Sequence, residues 1–298
     1  MGVVGIRYHD EPMRLASVKT NDEEVAAVVW SGGALPVAEI PGLDGWPADL
    51  LSLLERGRLD DLRRTWDGFS YAEREDLAER AIPVPGVSYA PPYRRPRKIW
   101  GIGLNYAEHA GDLDEATPFG EPASFMRPDT TIIGPGDGIR LPEQSGRVTA
   151  EAELAVVIGR KAKDVPEEDA PSVVAGFTTV LDMTAEDILR RNPRYLTRAK
   201  SFDTFFSFGP HLLTPDEVGE VSDLEVSTVL DGEVRRKNTV SNMTFSPYWL
   251  VSFHSKVMTL LPGDVISTGT PGAVAIRAGD VVECRIDGFE ALANPVGR

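Results

Sequence analysis

A chain of 298 residues, 42% apolar and 26% charged, has the composition of a globular protein with one large domain, or one large and one small. Its net charge of −15 opposes a nucleic-acid partner, because phosphates need a basic face, and no apolar run reaches the roughly 18 residues of a membrane span. Met1 to Pro12 lacks the apolar block of a signal peptide, so a cytoplasmic protein is expected.

Met13 to Val18 and Val25 to Trp30 are short β-like runs, and Ser31-Gly32-Gly33 ends the second as a turn. Pro47 to Arg56 reads as a helix with Leu50, Leu51 and Leu54 on one face and Gly57 as its stop; Ala72 to Arg80 reads as another. Five prolines between Pro83 and Pro96 suggest an extended linker. The expected division is therefore a small α+β domain with linker over residues 1–90 and a larger domain over 91–298. Beyond Lys98, apolar runs are short, β-branched and separated by Gly/Pro turns: Thr131 to Ile133, Leu154 to Ile158, Phe177 to Leu181, Leu224 to Leu230 and Val281 to Ile286. This texture predicts a mainly β domain. Its clearest helix starts with Ser246 as cap and Pro247 at the first position, carries Leu250, Phe253, Val257 and Leu260 on one face, and stops at Pro262-Gly263. The single cysteine, Cys284, lies in an alternating strand-like run with no His nearby in sequence, and reads as a half-buried structural residue.

Glu151-Ala-Glu153 leads into Leu-Ala-Val-Val-Ile158, so both side chains point to one face of a strand about 7 Å apart and can converge on a cation. A wetted strand face is the plainer reading of that spacing. Asp182 follows Gly176-Phe-Thr-Thr-Val-Leu181 and either closes a buried strand or opens the next turn or helix. Three carboxylates without His or Cys suit a hard cation, Mg²⁺ or Mn²⁺. His109 and Asp112 stand one helical turn apart, so the carboxylate could orient the imidazole for general-base work; an exposed loop His is the alternative. Lys200, in Arg198-Ala-Lys-Ser-Phe-Asp203, is either solvated or a partner for a substrate carboxylate. Thr268-Gly-Thr-Pro271 reads as a turn or as a tight loop offering backbone N–H groups to a ligand. Gly101-Ile-Gly-Leu-Asn-Tyr106 lacks the third glycine of a dinucleotide fingerprint, which rejects that reading.

Taken in order, five stretches resemble the fumarylacetoacetate hydrolase family: Gly101-Ile-Gly-Leu-Asn-Tyr-x-x-His109, Glu151-x-Glu-Leu-Ala-Val-Val-Ile-Gly159, Ala175-Gly-Phe-x-x-x-x-Asp182, Lys200-Ser-Phe-Asp203 with Phe208-Gly-Pro210, and Leu261-Pro-Gly-Asp-Val-Ile-x-Thr-Gly-Thr-Pro271. They cover roughly residues 98 to 298. The resemblance implies a mixed β-sandwich roll preceded by a small α+β domain, usually as a homodimer. It implies one Mg²⁺ or Mn²⁺ per subunit on Glu151, Glu153 and Asp182, a catalytic set of His109, Asp112 and Lys200, and substrate contacts from Asn105, Tyr106, Arg127 and Thr270. Three positions depart from the family pattern: Asp112 stands where Glu is usual, Arg127 where Lys is usual, and Glu186 where many members have Arg. The last exchanges a substrate-facing cation for an anion and weighs against a dicarboxylate substrate anchored there.

The implied activity is enolate chemistry on a small 2-oxo acid. The leading form is hydrolysis of a C–C bond in an acylpyruvate-like 2,4-dioxo acid: His109, paired with Asp112, deprotonates a water that attacks the C4 carbonyl, and the pyruvate enolate leaves beside the cation and Lys200. Decarboxylation, isomerisation or hydration of related acids from aromatic catabolism would use the same residues. A non-catalytic metal-binding protein is the rival from another class, prompted by Glu186.

Overall fold

The computed structural model describes residues 13–21, 23–107 and 120–298. His109 and Asp112 lie outside the described residues.

The N-terminal unit is an antiparallel sheet of Arg14–Thr20, Glu23–Trp30 and Gly33–Pro36, packed on the helices Leu50–Glu55, Leu59–Asp67 and Tyr71–Ala78. The first helix is capped by Asp49, whose side chain accepts the Ser52 N–H at 2.9 Å, and the third by a Ser70/Glu73 capping box. The middle helix went unpredicted because its N-terminal residue, Arg58, offers no side-chain oxygen to cap the backbone N–H groups of the first turn. Trp66 from that helix packs edge-on against Trp30 at 4.9 Å, and both are buried.

The proline-rich segment is pinned rather than loose. Tyr89–Ala90 pairs with Arg14–Thr20, and the Ser17 hydroxyl donates to the Pro92 carbonyl at 2.6 Å. His211–Leu212, from the following part of the chain, pairs with the same strand, so the two regions share a sheet.

The central sheet runs Ala123–Met126, Ile99–Gly103, Val265–Ser267, Val148–Ile158, Val174–Ala185, Phe206–Phe208 and Ile132–Ile133, with Val274–Ile276 also beside Val148–Ile158. A third sheet carries Glu233–Thr239, Glu225–Leu230, Val281–Ile286, Leu292–Gly297 and Ile139–Arg140. The expected mainly β sandwich is present, and no helix among the described residues is long and apolar enough to cross a membrane.

Strand alternation decides what each face of the central sheet does. Ala150, Ala152, Leu154, Val156 and Ile158 join Val226, Val282 and Cys284 in the core between the two large sheets. Ala155, Val157, Val180 and Val265 point the other way, into the core shared with the N-terminal unit. Glu151, Glu153 and Asp182 lie on that second face, farther along the same two strands. Cys284 is fully buried, with its thiol pushed up to about 12 by burial, which makes it inert at neutral pH.

The helix capped by Ser246 spans Pro247–Val257, ending short of the expected stop. Leu260 leaves it to exchange backbone hydrogen bonds with Ala162.

Candidate metal centre

Val148–Ile158 and Val174–Ala185 pair antiparallel with Glu151 opposite Asp182 and Val180 opposite Glu153. Asp182 therefore lies within a strand, since the chain turns helical only at Glu186. This register brings ligand atoms of Glu151, Glu153 and Asp182 within 4.8 Å of one another. The three residues are 8%, 1% and 1% exposed, so the bland reading of a wetted strand face fails.

Each carboxylate is held by named donors. Glu153 Oε2 accepts the Ser267 hydroxyl at 2.5 Å and the Gly269 N–H at 2.9 Å. Glu151 Oε1 accepts from Thr184 at 3.1 Å, and its Oε2 from Lys200 Nζ at 2.8 Å. Asp182 Oδ1 accepts from Lys200 at 2.9 Å and from Arg127 Nη2 at 2.5 Å. Burial, then the Asp182 charge and that of Glu151, push the Glu153 carboxyl up to about 8 despite Lys200 and Ser267. Burial lowers the Lys200 ammonium, but Asp182 and Glu151 outweigh it and raise the group overall. Such crowding of buried acids is relieved by a cation, and an all-oxygen donor set fits Mg²⁺ or Mn²⁺. Glu151, Glu153 and Asp182 would hold it.

Lys200 and Arg127 share an aromatic platform. The Phe125 ring centroid lies 5.2 Å from Lys200 Nζ and 5.6 Å from Arg127 Cζ, and Phe206 lies 5.2 Å from the same guanidinium. Arg127 also donates to the Phe205 carbonyl at 2.7 Å, so this residue, expected among the substrate contacts, orients Asp182. Gly101 explains its own place in the motif. A Cβ there would come within 2.2 Å of the Phe125 ring. Gly101→Ala is expected to destabilise the protein by about 1–3 kcal/mol through overpacking and to lower activity by displacing the support of Lys200. Chemical denaturation and steady-state kinetics check this; unchanged activity would mean that Phe125 plays no part in placing Lys200.

The remaining expected contacts divide. Thr270 is buried in the loop after Val265–Ser267, where its hydroxyl and Gly272 hydrogen-bond mutually, at 3.2 Å from the Gly272 N–H. Gly269 in the same loop has φ +97°, which lets its N–H reach Glu153. Asn105 is committed to the backbone: its amide donates to Thr268 O at 2.7 Å and Phe245 O at 3.0 Å and accepts the Phe245 N–H at 2.9 Å. It anchors the Thr270 loop. Tyr106 is fully buried, and its phenol is raised by burial and then by the Glu153 charge. Glu186 is clamped between two guanidinia, Arg147 and Arg190, the latter at 2.8 Å. The anion expected to face the substrate alone is thus outnumbered by cations. Phe125, Ser267, Thr184 and Arg147 were missed by sequence reasoning. Only Arg147 carried a signal, being in strand phase with Thr149, Glu151 and Glu153.

The chain is similar to several known proteins. The mitochondrial oxaloacetate tautomerase of Xenopus laevis is 39% identical over 230 residues, 74% of this chain and 72% of that protein. The 5-carboxymethyl-2-hydroxymuconate delta-isomerase of Mycobacterium smegmatis superposes with a TM-score of 0.75 at 33% identity, covering 96% of this chain and 99% of that one. Maleylpyruvate hydrolase from Sphingobium sp. SYK-6, in complex with manganese(II) and pyruvate, superposes with a TM-score of 0.77 at 29% identity, covering 96% and 99%. The model of the fumarylacetoacetate (FAA) hydrolase C-terminal domain matches residues 98–297, and with the buried carboxylate triad in its register this establishes that the chain belongs to the fumarylacetoacetate hydrolase family of enzymes.

Proposed function

We propose that the protein hydrolyses a C–C bond in a 2,4-dioxo, acylpyruvate-like acid, with the enolate of a small 2-oxo acid as the leaving fragment. The observation that carries this is the convergence of Glu151, Glu153 and Asp182 with Lys200 in one buried cluster. When bound there, a divalent cation supplies Lewis-acid stabilisation of negative charge on the substrate oxygens. Lys200 places a second positive charge beside the developing enolate. Thr270, buried in the same loop that steadies Glu153, contacts the substrate carboxylate. Arg127 holds Asp182 in place from behind, and Asn105 and Tyr106 keep the Thr270 loop and the floor near Glu153 in position. His109, oriented by Asp112, takes the proton of the attacking water, and the bond between C3 and C4 breaks with its electron pair left on the pyruvate fragment. The family resemblance further supports a homodimer, which light scattering would check.

A second reading is keto–enol tautomerisation of a 2-oxo diacid, favoured by the 39% identical relative named an oxaloacetate tautomerase. It needs the same enolate and no water.

Thermal unfolding with chelator, with Mg²⁺, and with Mg²⁺ plus oxalate tests the shared step. A ligand at about 100 times its dissociation constant adds about 2.7 kcal/mol, a visible shift. Mg²⁺ is expected to raise the midpoint and oxalate to raise it further; no shift in either condition sinks the proposal. Product analysis then separates the readings. Two carbonyl fragments from an acylpyruvate mean hydrolysis, whereas accelerated decay of the oxaloacetate enol band without fragments means tautomerisation.

A further inference from the structure

The face that carries the triad continues outward along the same two strands. Asp182 lies opposite Glu151 and Thr184 opposite Thr149, and the Glu186 N–H donates to the Arg147 carbonyl, which extends the pairing by one more step. Residues two apart share a face, so the strands present three rungs: an acidic pair, a threonine pair and an Arg–Glu pair. At ~3.3 Å per residue, the outer rung lies roughly 13 Å along the strands from the acidic one.

The outer rung is cationic in balance. Both oxygens of the Glu186 carboxylate are taken, Oε2 by Arg147 and Oε1 by Arg190. The Arg147 side chain is 51% exposed, and its guanidinium is bonded through Nε, with no partner on the Nη groups among the described residues. That leaves the Nη1/Nη2 edge of the fork for a second carboxylate, the geometry in which guanidinium binds carboxylate bidentately. On the middle rung the Thr184 hydroxyl is spent on Glu151, whereas the Thr149 hydroxyl is buried without a partner. A buried hydroxyl left unpaired is costly and marks a place for a polar group to enter.

We propose that Arg147, presented by Glu186, determines specificity for a 2-oxo acid with a second carboxylate at the far end of its chain, which passes the Thr149 rung. This rests on the enolate reading above, because it takes the head of the substrate to lie at the triad.

The test measures binding to the full chain with Mg²⁺ by calorimetry, using oxalate as a head-only probe and 2-oxoadipate against 2-oxohexanoate as a pair differing in the terminal carboxylate. The diacid is expected to bind roughly tenfold tighter or more than the monoacid, the effect of about one charged hydrogen bond. Arg147→Gln should bring that ratio close to one with oxalate affinity unchanged, and Arg147→Lys should restore part of it. Equal affinities in the unmodified protein, or a ratio that survives in Arg147→Gln, overturn the inference and leave the enolate reading standing. Failure of oxalate to bind the unmodified protein overturns both. Arg147 is half-exposed, and the melting temperature of each variant verifies folding independently.

Discussion

Glu153→Gln is expected to abolish the Mg²⁺-dependent rise in melting temperature and to lower turnover by a factor on the order of 10³ or more, the loss of several kcal/mol of charge stabilisation. Glutamine keeps the volume of the side chain and can still accept from Ser267 and Gly269, so the packing around it survives. What it removes is one of three anionic oxygen donors. The metal-free variant should melt no lower than the metal-free parent, because burial and the Asp182 charge disfavour the ionised Glu153 carboxylate. That contrast separates a ligand from a structural residue. If Glu153→Gln kept the Mg²⁺ shift, the triad would not be the cation site.

The second large effect concerns acid stability. His211 sits in the strand that joins the two regions, opposite Ala16 and edge-on to Tyr89 at 5.0 Å, with neither ring nitrogen partnered among the described residues. Burial, with a smaller contribution from Arg14, lowers its pKa from 6.5 to about 3. The folded protein thus keeps the ring neutral where the unfolded chain binds a proton. The stability it contributes is complete above pH 6.5 and is lost as pH falls from 6.5 toward 3. At pH 5 the loss is on the order of 2 kcal/mol, from about 1.5 pKa units at 1.36 kcal/mol each. His211→Phe keeps the ring contact and cannot titrate. The difference in unfolding free energy between parent and variant should therefore shift in favour of the variant by that amount between pH 7.5 and pH 5. The comparison cancels Glu217, which burial pushes up to about 7 and which acts in the opposite sense. A pH-independent difference would mean that His211 takes up its proton in the fold as readily as in the unfolded chain.

The parts of the site written in one short stretch were legible. Two glutamates at i and i+2 before an apolar run announce a shared strand face, and Ser246-Pro247 announces a helix start. Asp182 was half legible: the helix that follows opens at Glu186 without a side-chain cap, so nothing local said where the strand stopped. The end of the Ser246 helix was misplaced because Leu260 continues the helical spacing while its backbone pairs with Ala162. The supports of the triad were illegible for another reason. Arg127 meets Asp182 across 55 residues and Ser267 meets Glu153 across 114, and single-sequence periodicity says nothing about such pairs. Glu186 looked like a lone anion for the same cause, since one of its two partners, Arg147, lies 39 residues away.

The contact of the Phe125 ring with the Gly101 backbone has a consequence for how this chain can change over time. Any side chain at position 101 collides with the ring, and any smaller residue at position 125 gives up the surface on which two buried cations rest. Neither position can drift alone. A path of single substitutions away from this pair crosses a poorly folded intermediate on one side and an intermediate with a misplaced Lys200 on the other. The effects at 101 and 125 are therefore non-additive, as for any two residues in direct contact. Glycine at 101 is thus kept by its neighbour across the strand pair rather than by its own backbone angles, and the two sites are inherited as one character.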